Sequence, residues 1–236
     1  MNKLCTCFPL LICLFSTASV AEEAGEEQVA VKAATFAFSA DTTFSNTDFY
    51  YLQGDGTFAI NDDFGVTLGI NNVYLDYEDG SNDIQNFRVG GFFRNPEYGR
   101  VEVAYQQAFF DEHENDFYSL TGEYYFENWT LGGFFLSDDL SNLNDLNLYS
   151  NIYVNENTRI EVNLLDTKDN SLISLAARFQ LPELTGREWQ FSVSYGETFW
   201  DRDTWGLSVK YTPDFNNSLK QFYRNYSTNI RSFLFL

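Results

Sequence analysis

The side-chain pattern predicts an all-β chain, a transmembrane antiparallel up-and-down β-barrel of about twelve strands. Three observations carry that reading. Apolar and polar residues alternate with a period of two through most of the chain, as they do in strands with one apolar face. The apolar faces are rich in Phe, Tyr and Trp, and these aromatics gather toward the ends of the alternating runs, where a membrane barrel places its girdles. The connections alternate between long, acidic stretches and short turns, the asymmetry a barrel shows on the two sides of a membrane. A soluble sandwich or lipocalin-type barrel also alternates, but its apolar faces point inward and its loops need no alternation of length.

Composition agrees. The 236 residues suffice for one large all-β domain, and Phe and Tyr number 24 and 15. Mean hydropathy is −0.30, and beyond the N-terminus no apolar run approaches the ~18 residues of a spanning helix. A net charge of −20 argues against nucleic acid, whose phosphates need Lys and Arg.

Residues 1–21 read as a cleaved signal peptide: Lys3 supplies the positive start, Leu4 to Phe15 the apolar core, and Ser19, Val20 and Ala21 the small-residue cleavage site. Ile12 before Cys13 is too bulky for a lipoprotein signal. Cys5, Cys7 and Cys13 all fall inside this segment, so the mature chain is expected to hold no thiol, disulfide or Cys metal site. Sequons at Asn128, Asn216 and Asn225 carry no meaning in a bacterial exporter. Residues 22–34 form an acidic leader on the periplasmic side.

The barrel is expected over 35–211. Its first strand sets Phe36, Phe38 and Ala40 against Thr35, Ala37 and Ser39, and breaks at a turn over 45–48. The second runs from Phe49 to Ile60, with a tight turn at 61–63. The third carries Val66, Leu68 and Ile70 and leads into a long polar loop over 76–83. The fourth opposes Phe87, Val89, Gly91 and Phe93 to Arg88, Gly90 and Arg94, and Pro96 marks its turn, since a central strand does not tolerate proline. The fifth opposes Val101, Val103 and Tyr105 to Arg100, Glu102, Ala104 and Gln106. An acidic loop over 111–116 follows. The sixth opposes Tyr118, Leu120, Tyr124 and Phe126 to Ser119, Thr121 and Glu123.

The seventh, Trp129 to Leu136, is apolar on both faces, which leaves its register open. After an acidic loop over 137–145 comes the eighth, Leu146 to Val154. The ninth opposes Ile160, Val162 and Leu164 to Arg159, Glu161 and Asn163. The tenth opposes Ile173, Leu175, Ala177 and Phe179 to Ser174, Ala176, Arg178 and Gln180. The eleventh opposes Trp189, Phe191, Val193 and Tyr195 to Glu188, Gln190, Ser192 and Ser194, and an acidic loop spans 197–203. The last strand is Thr204 to Tyr211. It turns Trp205, Leu207, Val209 and Tyr211 to one face and Gly206, Ser208 and Lys210 to the other.

The order polar-x-Gly-x-x-apolar-x-aromatic in Thr204 to Tyr211 resembles the closing-strand signal of bacterial outer-membrane barrels. On that motif and on the strand pattern, the chain to Tyr211 is similar to small porin-like Gram-negative outer-membrane barrel proteins. The resemblance implies residence in the outer membrane among lipid and lipopolysaccharide. It also implies insertion by the barrel-assembly machinery through Thr204 to Tyr211, and passive passage of small polar or charged solutes. No cofactor and no metal is expected.

The pore-lining candidates are the charged residues on the polar faces: Arg88, Arg94, Arg100, Glu102, Glu123, Arg159, Glu161, Arg178, Glu188 and Lys210. Opposed Arg and Glu on a lumen wall set up a transverse field that orients small polar solutes. A twelve-stranded lumen lies between the side-chain-filled barrel of ~8 strands and the water-filled one of ~16. A closed lumen knitted by ion pairs, on a barrel whose acidic loops bind cations or a surface partner, is therefore the alternative. Tyr51, Phe92, Tyr149 and Tyr153 are the candidates for inward aromatics. Phe36, Tyr74, Phe109, Tyr118, Phe126, Trp189, Tyr195, Trp205 and Tyr211 are candidates for the girdles.

No enzyme is expected. The single histidine, His113, lies in an acidic loop between Glu112 and Glu114, unlike the wall-mounted Ser–His–Asn set of twelve-stranded outer-membrane phospholipases, and no Gly-x-Ser-x-Gly elbow is present. The acidic loops lack the spacing of a calcium loop.

The tail, 212–236, departs from the family, most of whose members end at the closing strand. Leu219, Phe222, Tyr223, Tyr226 and Ile230 recur at helical spacing, and the tail is basic. An interfacial amphipathic helix is the favoured placement. A plug in the lumen, or two further strands making fourteen, are the others.

Overall fold

The computed structural model describes residues 34–44, 48–77, 80–95, 97–110, 113–138, 144–166, 171–197, 204–213, 217–221 and 223–224. The expected signal peptide, all but the last residue of the leader, and tail residues 225–236 lie outside these.

Twelve strands follow one another: β1 Thr35–Phe44, β2 Asp48–Ala59, β3 Phe64–Tyr77, β4 Gly80–Asn95, β5 Gly99–Phe110, β6 His113–Phe126, β7 Trp129–Asp138, β8 Asn144–Asn155, β9 Thr158–Asp166, β10 Ser171–Leu181, β11 Gly186–Gly196 and β12 Thr204–Tyr211. Each pairs antiparallel with its chain neighbours, and β1 also pairs with β12, so the sheet closes on itself. Closure leaves no edge, as lipid requires, because hydrocarbon offers no water to unpaired N–H and C=O groups. No helix among the described residues is long and apolar enough to cross a membrane. Twelve strands, not fourteen, make the ring among the described residues.

The end at which β1 begins and β12 finishes, here called proximal, has short turns with a chemical cause. Asn61 Oδ1 accepts from the backbone N–H of Asp63 (3.0 Å) and Phe64 (2.9 Å), Asn95 Oδ1 from Glu97 and Tyr98, and Asn155 Oδ1 from Asn157. Asparagine does this readily because its side chain mimics a backbone turn. The β10–β11 connection is a four-residue helical turn, α1 (Pro182–Thr185), which ends on Gly186 at φ 80, a left-handed conformation open mainly to glycine.

At the distal end the structure corrects the expected loops. The ladder between β3 and β4 continues to the pair Tyr77–Gly80, and that between β5 and β6 to Phe110–His113. Most of 76–83 and 111–116 is therefore strand. These segments are polar, but a ladder set in register by its apolar part runs on in water, and low β-propensity does not break it. His113 is accordingly the exposed first residue of β6, not a loop residue. The ambiguous β7 resolves with Trp129, Leu131 and Phe135 outward and Thr130, Gly132, Phe134 and Leu136 inward.

Every other strand keeps the expected faces. Val103 (60% exposed), Leu120 (50%) and Leu175 (51%) face out. All nine girdle candidates sit on this outer surface. Seven of them, with Phe64, Phe93, Trp129, Tyr50 and Tyr105, meet other rings across strands in two belts: Phe64–Phe93, Phe126–Trp129 and Trp189–Tyr211 proximally, and Tyr50–Tyr74, Tyr105–Tyr118 and Tyr195–Trp205 distally. From Phe64 to Tyr74 along β3 is about 33 Å, or about 25 Å of height at a tilt of ~40°, the thickness of a barrel's lipid band.

Candidate functional site

All ten expected charged residues turn into the barrel, because they share parity with the buried positions of their strands. So do Tyr51, Phe92, Tyr149 and Tyr153, each no more than 5% exposed. Alternation shows which face a side chain takes; the structure adds whom it meets there.

On the β4–β5 wall Glu102 joins two arginines. Arg88 lies 2.7 Å from Oε1, Arg100 bonds Oε2, and the Thr67 hydroxyl donates to Oε1 at 3.0 Å. On the β9–β10 wall Glu161 does the same: Arg159 donates to Oε2 at 2.7 Å, Arg178 Nε lies 3.7 Å away, and the Asn163 amide donates to Oε1 at 3.2 Å. Each wall thus carries an Arg–Glu–Arg set with one positive charge in excess. Between them Glu123 accepts hydrogen bonds from the hydroxyls of Tyr125 (3.0 Å) and Tyr149 (2.6 Å).

Two arginine pairs sit directly opposite each other in register, Arg94 with Arg100 and Arg159 with Arg178. Like charges in facing cross-strand positions are unfavourable in a sheet that needs only to be stable. The two pairs lie on opposite sides of the ring: three strands separate β5 from β9 one way, and five separate β10 from β4 the other. With Lys210 on β12 they form a cationic collar in the proximal part of the lumen. The Phe92 ring lies between Arg94 (4.8 Å) and Arg100 (5.2 Å) and spreads their charge over a π face. The Arg94–Arg100 pairing was within reach of the sequence, since counting outward from the short turn after Asn95 brings the two together.

The lumen is lopsided. Along β3 to β9 its residues are packed: Thr67, Arg94 and Asn147 are 0% exposed and Arg159 1%. Along β10, β11, β12, β1 and β2 several inward positions, Ser174, Arg178, Ser194, Ser208, Lys210, Ser39, Asp41 and Gln53, keep partial exposure, while others such as Ala176, Gln190, Ser192 and Asp55 are buried. The cause is side-chain size. Arg, Tyr, Glu and Asn fill one side, whereas serines on the other leave a strip of open lumen into which Arg178 (side chain 28% exposed) and Lys210 (12%) reach. Lys210 faces Asp55 at 3.9 Å. Of the collar, Arg178 and Lys210 are the cations that meet water.

Of the distal interior, sequence reasoning named only Tyr51. Phe49, Tyr51, Val73, Leu75 and Ile84 pack there as one apolar cluster with Phe110 against it, and Leu136, Leu165 and Leu172 continue it around the ring. Most of these strands are apolar on both faces at that level, as at Phe49–Tyr50, Phe109–Phe110, Phe135–Leu136 and Leu164–Leu165, so alternation fades where it was being read.

The tail does not lie on the outer surface in its described part. After β12, Thr212 N–H donates to Glu188 O at 2.9 Å, and a helical turn, α2 (Leu219–Gln221), follows. Ser218 and Gln221 cap that turn reciprocally, Ser218 N–H donating to Gln221 Oε1 at 3.0 Å and Gln221 N–H to Ser218 Oγ at 3.4 Å. Leu219 is 0% exposed and Tyr223 4%, so these two members of the apolar stripe face the barrel end instead of lipid. The favoured interfacial placement is thereby corrected for the described residues 217–221 and 223–224.

No family model matches the chain, and no curated protein matches it. Among solved structures the fold is similar to that of the KdgM porin, with 11% identity and a TM-score of 0.60 over 74% of this chain and 98% of that chain. The KdgM porin in complex with disordered oligogalacturonate gives the same values. A mutant porin of Rh. blastica aligns with 10% identity and a TM-score of 0.45 over 76% of this chain and 99% of that one. At such identities the likeness is one of fold.

Proposed function

We propose that this chain is a porin-like channel of the outer membrane, through which small polar or charged solutes diffuse passively. The observation that carries the proposal is the water-exposed, serine-rich strip inside a closed lipid-facing barrel, with Arg178 and Lys210 on it and Asp41 and Asp55 near them. Opposed charges along one wall orient a passing dipole, while the arginine excess on both walls raises the local concentration of anions. The preferred solutes are therefore small anions. That the KdgM porin was solved with an oligogalacturonate makes acidic sugars a sensible first test set. In this reading residues 1–21 are removed on export, the proximal end lies in the periplasm, lipid and lipopolysaccharide surround the girdles, and the assembly machinery engages Thr204–Tyr211.

The test is single-channel recording in a salt gradient, on the full chain and on a chain ending at Pro213. The expected reversal potential is that of an anion-preferring pore, and Arg178→Gln with Lys210→Gln moves it toward cations. Arg88 and Arg94 are buried, so Arg88→Gln with Arg94→Gln is expected to change selectivity less. Silence from both chains, with the barrel shown folded by a heat-dependent gel shift, overturns the proposal.

A further inference from the structure

We infer that the segment from Asn217 to Arg224 is a strap across the proximal mouth of the lumen, and that it leaves the mouth when solute passes. The inference rests on the channel reading above. Its geometry is that of a chord, not of a segment running along the rim. The Asn217 carbonyl accepts from the Gln180 amide on β10 at 3.4 Å, and Leu219 N–H donates to Glu156 O in the β8–β9 turn at 2.8 Å. Lys220 Nζ reaches Asn128 Oδ1 in the β6–β7 turn at 3.3 Å. The next residues fix the crossing. Tyr223 donates its hydroxyl to Gln190 on β11 (3.3 Å), while adjacent Arg224 bonds the carbonyls of Phe126 and Trp129 and lies over the rings of Tyr125 (5.1 Å) and Tyr153 (5.5 Å). Neighbouring residues that touch β11 and β6, five strands apart on the ring, must span the opening.

The strap also occupies the collar. The Arg159 guanidinium lies 3.4 Å from the centre of the Tyr223 ring. An anionic solute arriving at the collar competes with that ring for the same cation, which gives the solute a means of displacing the strap. The attachment suits a reversible device. Among the described residues it holds a short capped turn, one buried leucine, one buried tyrosine and polar contacts, and none of these residues pairs as a strand with the barrel. A permanent plug is expected to be larger and laddered.

The experiment compares four proteins in planar bilayers: the full chain, a chain ending at Pro213, the full chain with Tyr223→Ala and Arg224→Gln, and the full chain with Glu156→Cys and Leu219→Cys. The last pair follows the hydrogen bond between those two backbones, which brings their Cα atoms within the ~6 Å a disulfide spans. The full chain should open briefly, with a mean current roughly tenfold below that of the shortened chain, and the double substitution should raise it several-fold. Oxidation of the cysteine pair should shut the channel and dithiothreitol should restore it. Equal steady currents from the full and shortened chains overturn the strap and leave the channel standing. So does an oxidised pair, verified by its gel shift, that conducts like the reduced one. If the shortened chain does not fold, the two full-length variants decide the matter. Silence from every folded variant overturns the channel reading and the strap with it.

Discussion

A carboxylate held between two guanidiniums governs the β4–β5 wall. Glu102 is 2% exposed and touches Arg88, Arg100 and Thr67, so neutralising it removes the carboxylate that two buried cations share. Glu102→Gln is expected to cost about 3–5 kcal/mol, measured by urea unfolding in vesicles. Glu188→Gln, at a partly exposed position, should stay within about 0.5 kcal/mol. Gly132 offers a second test. It faces Tyr149 across the ladder, and the tyrosine ring lies where a side chain at 132 would go. Gly132→Val should displace Tyr149 from its 2.6 Å bond to Glu123 and destabilise the barrel by about 1–3 kcal/mol. Gly91→Val, which points into open space, should be nearly neutral. At this scale the sequence was half legible. The side taken by Arg88, Glu102, Arg159 and Glu161 follows from alternation alone. That Glu102 bridges two arginines depends on the offset between strands, which a period of two does not contain.

The strands act through their faces, and each face has its own solvent. Val103, 60% exposed midway along β5, meets lipid at the centre of the band. Val103→Arg is expected to cost about 2–4 kcal/mol, whereas Val154→Arg, equally exposed but at the proximal end of β8, should cost about 0–1 kcal/mol. Equilibrium unfolding of the two variants checks the difference, and equal costs would contradict the placement of the girdles. Strand number and order were legible, and so were the outward faces of most strands other than β7, because a lipid-facing strand must show its apolar residues at every second position. The ends were not. Polar residues such as Asp76, Ser81 and Asn115 lie in ladders that continue into water, and their composition is the same as that of a loop.

For the molecule as a whole, the bulk charge misleads. The chain carries −20, yet its proximal lumen is built around arginines, and only the placement of charge separates the two. The lopsided interior makes a further prediction. Ser194→Cys and Ser208→Cys, on the open strip, should react with a small charged thiol reagent roughly ten times faster than Asn147→Cys on the packed wall. Mass spectrometry of the labelled barrel reads the difference, and equal labelling would mean that the lumen is not divided in this way. The strip was readable in outline from the serines of β10 to β12. The path of the tail was not, because helical spacing announces an apolar stripe without saying whether lipid or protein will cover it.

Closure itself has a consequence for synthesis. The seam is made of pairs from Phe38–Tyr211 to Phe44–Trp205, so the first strand made waits for the last. A polypeptide cut short before Thr204 would offer the membrane two rows of amides with nothing to bond, a cost no bilayer tolerates. Partial products therefore have no partial activity. A premature stop leaves a chain that cannot close, and the join between β1 and β12 decides whether any barrel forms at all.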